Sequence, residues 1–281
     1  MTIIGAFILP HGSLILDPSI EDAGKPAENL HDAMKEVASI IKNLSPDLCL
    51  LITPHGLSHS NDFCFYNNHL ASGTAEWEGK YSDFSVEVNI DNKFTELLMN
   101  YLQERKNPVG SITAFTQGVS TPLRWGEVVP LWFLKAIPCS YQIMSIPTRR
   151  YTQAKEMIPE LQKIGNDIQE YLTSMDLNVI IIISADLAHT HIPSGPYGFH
   201  EDAENFDSLI EKWAIRQETS ILTEEALPLF DNALCCGYTG IIILDEILKK
   251  HDFKHSIHAY EHPTYYGMLI ASFIEDQSLG M

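Results

Sequence analysis

The sequence predicts one α/β domain over residues 1–281, built on a central, largely parallel or mixed sheet with helices on both faces. Two observations carry that expectation. Short β-branched runs alternate along the chain with longer stretches whose apolar residues recur at helical spacing. The strand-like runs, "NVIIIIS" above all, have no polar face, which is the pattern of strands covered on both sides. A third observation sets the domain count: no Gly/Ser or Pro-rich linker, internal repeat or low-complexity tract divides the chain.

Taken in order, "IIGAFIL" reads as a buried strand, "AENLHDAMKEVASIIKNL" as an amphipathic helix and "DLCLLIT" as a second buried strand. Residues 62–90 alternate more, in "FCFYNNHL" and "FSVEVNI", and predict antiparallel strands or a hairpin excursion. "KFTELLMNYLQERK" is helical, "YQIMSIP" is a strand, and residues 151–174 form one long helix. After "NVIIIIS", helices are expected over 202–217 and from Gly237 through Lys250. "HSIHAYEHPTYYGMLIASF" closes the chain as two strands joined by a turn.

Composition excludes several function classes. Eighteen basic residues stand against 37 acidic ones, a net charge of −19, which is the wrong sign for a nucleic-acid backbone. Five cysteines are an odd set with two adjacent in sequence, so no disulfide framework is expected and a reducing cytoplasm is the expected compartment. The N-terminus lacks a basic region followed by a cleavage site, and no apolar run approaches the ~20 residues of a membrane span. No Gly-rich dinucleotide fingerprint follows any strand.

Chemistry concentrates where apolar strands end. "FILPHG" places His11, and "LLITPHG" places His55, at the end of a buried strand between proline and glycine. Proline fixes its own φ, and glycine permits a tight turn or a close backbone approach, a degree of restraint that suits a metal ligand. "IIIISADLAHTH" ends a third strand and brings His189 with Ser184 and Asp186, groups able to orient an imidazole. In parallel α/β sheets, ligands collect beyond the carboxyl ends of strands, so three distant histidines can share one crevice. The residues by themselves predict a divalent-metal site with two histidine ligands, a further catalytic histidine, and a third ligand from another strand end or helix start.

At these positions the chain resembles the class III extradiol ring-cleavage dioxygenases, the superfamily of the catalytic beta subunit of protocatechuate 4,5-dioxygenase. "LPHG", "TPHG", "SADLAH", "GPYGFHEDAENFD", "CGYTGIIIL" and "YEHPTYYGMLIASF" match its segments in order over nearly the whole chain. The resemblance implies that His11 and His55 bind Fe(II) and that His189 acts in acid/base catalysis. It implies a small, catechol-like aromatic substrate and O₂ as partners, without nucleic acid or membrane, and allows a homodimer. The ring would open beside its hydroxyl pair.

The chain departs from that family at two places. The family's third ligand is a glutamate, but here the segment reads "LCCGY", so Cys236 or Cys235 would supply the bond. A thiolate there resembles the related Memo group, and favours zinc or copper(I) over iron. The alternative function is accordingly a Memo-like redox or interaction protein that holds copper or zinc without opening a ring. At the second place, "LRWGEVVPLWFL" stands where the family carries Asp-His-Gly, so Trp125 is a candidate pocket wall. His262 in "YEHP" is a further pocket candidate, His59 a candidate neighbour of the second ligand segment, and Arg149 and Arg150 in "PTRRY" candidate anion anchors.

Overall fold

In the computed structural model, which describes residues 3–19 and 27–275, the alternation expected from the sequence becomes a two-faced sheet. The strands of the chain are β1 (Ile3–Leu9), β2 (Leu48–Thr53), β3 (Phe63–Tyr66), β4 (Leu70–Thr74), β5 (Ser85–Asn89), β6 (Val109–Ile112), β7 (Thr121–Leu123), β8 (Ser140–Ser145), β9 (Val179–Ser184), β10 (Phe253–Glu261) and β11 (Met268–Glu275). The helices are α1 (Glu28–Leu44), α2 (Asn92–Glu104), α3 (Trp125–Leu134), α4 (Arg150–Gln153), α5 (Ile158–Thr173), α6 (Asp202–Arg216), α7 (Phe230–Ala233) and α8 (Tyr238–Leu248). The eight-stranded sheet runs β10-β11-β1-β9-β2-β8-β3-β6, and β5-β4-β7 form a small second sheet.

The middle of the large sheet, β1-β9-β2-β8, is parallel, while β11, β10 and the β3–β8 pair are antiparallel. Every residue of β9 is buried. Its side chains alternate between two cores: Val179, Ile181 and Ile183 pack with α5, α6 and α8, whereas Ile180 and Ile182 pack with α1 and α3. An unbroken apolar run is what a strand with two covered faces requires.

Helix α1 shows how the pattern becomes structure. Leu30, Met34, Val37 and Ile41 recur at three- and four-residue spacing and are all buried, while the polar residues between them face outward. Its end is fixed by Ser45 in the left-handed conformation, φ 50°, which stops the helix before β2.

The structure corrects the expected helix over 151–174, which is divided into α4 and α5. Pro159 has no N–H to donate and begins a helix more readily than it continues one, so α5 starts there after a turn over 154–157. The excursion over 62–90 resolves into β3, which joins the large sheet, and the antiparallel pair β4–β5 of the small one. Strands β6 and β7 and helices α3 and α7 lie outside the elements expected from the sequence pattern. Among the described residues no helix is long and apolar enough to cross a membrane.

Packing of α5 on α8 depends on Gly165, where an added Cβ would lie 2.7 Å from the Ile243 carbonyl oxygen. Gly165→Leu is expected to lower stability by about 1–3 kcal/mol through overpacking, read by urea denaturation.

Candidate metal centre and cavity

Strand order decides what can meet. His11 follows β1 by two residues, His55 follows β2 by two, and His189 lies five beyond β9, all at one edge of the parallel segment. Cys236 comes from the opposite direction in sequence, just before α8 begins at Tyr238. The ligating atoms of His11, His55 and Cys236 lie within 4.8 Å of one another. The two imidazoles meet edge to face with centroids 4.8 Å apart, and Cys236 Sγ is 3.4 Å from His11 Nε2.

Glycines around the histidines serve close approach. Gly12 has φ −62°, a value open to any residue, yet a Cβ there would stand 2.5 Å from the Tyr266 ring. Gly126 does the same for α3, since its Cβ would fall 2.6 Å from that of His55.

Hydrogen bonds set the tautomers. The Ser184 hydroxyl donates its proton to the Gly126 carbonyl, so its oxygen accepts from His11 Nδ1 at 2.9 Å. His11 Nε2 is therefore unprotonated and turns its lone pair toward Cys236. Asp186 accepts from the His11 backbone N–H at 3.0 Å, and its other oxygen lies 3.4 Å from His11 Nε2. His189 Nδ1 donates to the Leu187 carbonyl at 2.7 Å, which leaves His189 Nε2 bare as well.

Burial governs the charges. It holds His11 well below the ordinary imidazole range, with the other two histidines and Arg150 adding to the effect. Burial, then Arg150 and His189, bring His55 down to about 3, and burial brings His189 down to about 4. All three are neutral at pH 7. The Cys236 thiol is pushed up by burial and by Asp186, and Asp186 itself is raised by burial to about 7. Neutral imidazoles beside a protonated thiol are a donor set able to take a divalent cation, with release of the thiol proton.

The cluster opens into a cavity of about 250 Å³. His55, His189 and Cys236 stand in its wall with Arg150, Tyr151 and Tyr197. A larger hollow of about 390 Å³ lies between α1 and β10, bordered by Asp32, Glu36 and His258, and contains none of the clustered histidines.

Other residues singled out in the sequence are distributed unevenly. Trp125 is 5.6 Å from the His55 ring and 4.6 Å from the Trp77 ring. Cys235 lines the cavity and, like Cys236, its thiol donates to the Asp186 carbonyl (3.5 and 3.4 Å), but its sulfur stands outside the ligating group. His59 is directed at Gly110 of β6, with ring atoms 3.0 Å from where a Cβ would be. His262 stacks on His191 at 4.3 Å, and Glu204 Oε2 lies 3.6 Å from its Nε2, in a second cluster anchored by Asp207 on His191.

Three residues for which the sequence pattern predicts no role, Leu57, Tyr66 and Glu127, stand behind the site. Leu57 N–H donates to the Tyr66 hydroxyl at 2.6 Å, and that hydroxyl donates to Glu127 at 2.6 Å. Glu127, raised by burial to about 7, also accepts from Arg124 N–H at 3.0 Å and so caps α3. This chain of bonds fixes the loop that carries His55 against the start of α3. A glutamate two residues past a tryptophan, opening an apolar run, is the one local trace it leaves in the sequence.

A family model described as the catalytic LigB subunit of aromatic ring-opening dioxygenase matches residues 5–264. Protein CA_C1420 of Clostridium acetobutylicum is 25% identical over 273 residues, covering 93% of this chain and 55% of that protein. The chain thus spans about half the length of the curated relative it matches. The crystal structure of uncharacterized protein JW3007 from Escherichia coli K12 has the same fold at TM-score 0.58 and 12% identity, covering 96% of this chain and 99% of that one.

Ser184→Ala removes the acceptor that holds the His11 tautomer. It is expected to weaken Zn(II) binding by about 10–100-fold, measured by competition with a chromophoric chelator.

Proposed function

The chain belongs to the family of the catalytic LigB subunit of aromatic ring-opening dioxygenases, and from that premise we propose that it is a metal-dependent extradiol dioxygenase acting on a small catechol-like ring. The observation that carries the reading is the buried cluster of His11, His55 and Cys236, facing His189 across a cavity walled by aromatic rings. His11 Nε2, a ring nitrogen of His55 and Cys236 Sγ would hold the ion, with Fe(II) the cofactor the family favours. A bound Fe(II) supplies the Lewis-acid and redox centre for reaction of a catechol with O₂.

The residues of the chain do the rest. His189, neutral above about pH 4 and bare at Nε2, accepts a hydroxyl proton from the catechol and can return it later. Because that value is depressed, the base is present throughout the neutral range and is lost only as the pH falls toward 4. Tyr197, Tyr265 and Tyr266 surround the His189 ring at 5.5–6.1 Å. Trp125 closes the far side of His55.

A second reading rests on one observation: a thiol occupies the position where a carboxylate would complete an iron site. Thiolate selects zinc or copper(I), which suits a Memo-like metal-binding protein without ring cleavage.

Anaerobic loading with Fe(II), followed by an oxygen electrode and a panel of catechols, separates the two. Oxygen uptake with a new visible chromophore supports the dioxygenase; no uptake with any catechol, beside tight retention of zinc or copper, supports the second reading. On the first reading, His189→Gln lowers turnover by about 10²–10⁴-fold with metal content unchanged.

A further inference from the structure

Outside the cavity, three segments of the chain bring a second set of ligating atoms together. His191 lies seven residues beyond β9, Glu204 in the first turn of α6, and His262 one residue beyond β10. One ring nitrogen of each histidine and a carboxylate oxygen of Glu204 lie within 4.8 Å of one another, in a group that shares no residue with the His11–His55–Cys236 cluster. Glu204 Oε2 is 3.9 Å from His191 Nδ1 and 3.6 Å from His262 Nε2. Both distances exceed a hydrogen bond. They stand close to the ~3.3–3.4 Å between donors of a tetrahedral zinc shell, the spacing that metal–donor bonds of about 2.0–2.1 Å imply.

The support behind His191 is that of a metal ligand. Glu204 and Asp207 are three residues apart on α6, so both carboxylates face the same way and meet the two nitrogens of the imidazole. Asp207 is fully buried; its Oδ1 accepts from Ala188 N–H at 2.9 Å and its Oδ2 from the Tyr260 hydroxyl at 2.8 Å. His191 Nε2–H donates to the same Oδ2 at 2.8 Å. The ring proton is held there, which leaves the Nδ1 lone pair on the side of Glu204. A carboxylate behind an imidazole in this way fixes the tautomer that binds a metal. His262 stacks on the ring, with centroids 4.3 Å and planes 11° apart. Parallel planes do not aim two lone pairs at one point, so closure takes a tilt of His262, whose side chain is 32% exposed. Negative charge gathers at the same place: Glu211 is raised by burial and then by Asp207 and Glu204, a repulsion that a cation relieves.

We propose that His191 Nδ1, His262 Nε2 and the Glu204 carboxylate form a second metal site, which takes Zn(II) or another late first-row divalent cation with water completing the shell. Two imidazoles and one carboxylate suit such an ion better than Mg²⁺ or Ca²⁺, which prefer oxygen throughout. The bound ion ties α6 and the end of β10 to the loop after β9, two residues from His189. Lacking a thiolate and open to solvent at Glu204, this site is the weaker of the two. The first equivalent of zinc therefore goes to the Cys236 cluster and the second comes here. The site is independent of ring cleavage.

Zn(II) titrated calorimetrically into the metal-stripped protein tests it. The wild type is expected to bind two equivalents, and His262→Ala to lose the weaker one. Glu204→Gln, at a side chain 66% exposed, should weaken that equivalent at least about tenfold, because losing a direct ligand costs no less than losing a support behind one. Cys236→Ser should act on the other equivalent alone. If neither His262→Ala nor Glu204→Gln changes the number or affinity of bound zinc ions, the second site is overturned; Glu204→Gln decides the matter by itself if His262→Ala does not fold. A single wild-type equivalent that responds to these two variants but not to Cys236→Ser keeps the second site and rejects the first. A single equivalent that responds to Cys236→Ser alone does the reverse.

Discussion

Everything at the site depends on β9 lying parallel between β1 and β2. Ile183 pairs with Ile8 on one side and with Ile52 on the other, so the three strands end level. That register brings Ser184 beside Leu9 and sets Pro10-His11 and Pro54-His55 at the same height. A slip of one residue in either pairing would turn side chains to the opposite face and separate the imidazoles. The apolar run "VIIIIS" is therefore more than core: its burial on both faces fixes the ruler against which the histidines are placed.

A second constraint is electrostatic. The site gathers three neutral imidazoles, a protonated thiol, a carboxyl raised to about 7 and a buried guanidinium within a small volume. Burial disfavours charge in each titrating group, which leaves a set of neutral donors able to take a cation. Hydrogen bonds outside the cluster keep the lone pairs pointed inward: Ser184 through Gly126 for His11, and the Leu187 carbonyl for His189. The Tyr66–Glu127 pair holds the His55 loop without entering the cavity. Rigid support behind neutral donors is what a centre needs to bind a metal without rearranging.

Much of this was legible in the sequence because it is local. Strands β1, β2 and β9 are continuous apolar runs, and the proline and glycine flanking each histidine mark the abrupt ends. Helix α3 was hidden because "VVPLWFL" is apolar all round and contains Pro130, so it has no period to read. The direction taken after a tight turn was equally hidden. His59 is four residues beyond His55 yet reaches β6, and His262 turns to His191, since in both cases partners distant in sequence decide the direction. For the same reason the pair Cys235-Cys236 could not be separated by inspection. Only the start of α8 shows that, of two sulfurs both within reach of the Asp186 carbonyl, Cys236 alone faces His11.

The central claim is that Cys236 and two strand-end imidazoles share one ion. X-ray absorption of the Zn(II)-loaded protein tests it most directly. The account predicts one sulfur scatterer at about 2.3 Å together with two imidazole nitrogens at about 2.0–2.1 Å, and loss of the sulfur in Cys236→Ser but not in Cys235→Ser. A shell of nitrogen and oxygen alone in the unaltered protein would contradict it.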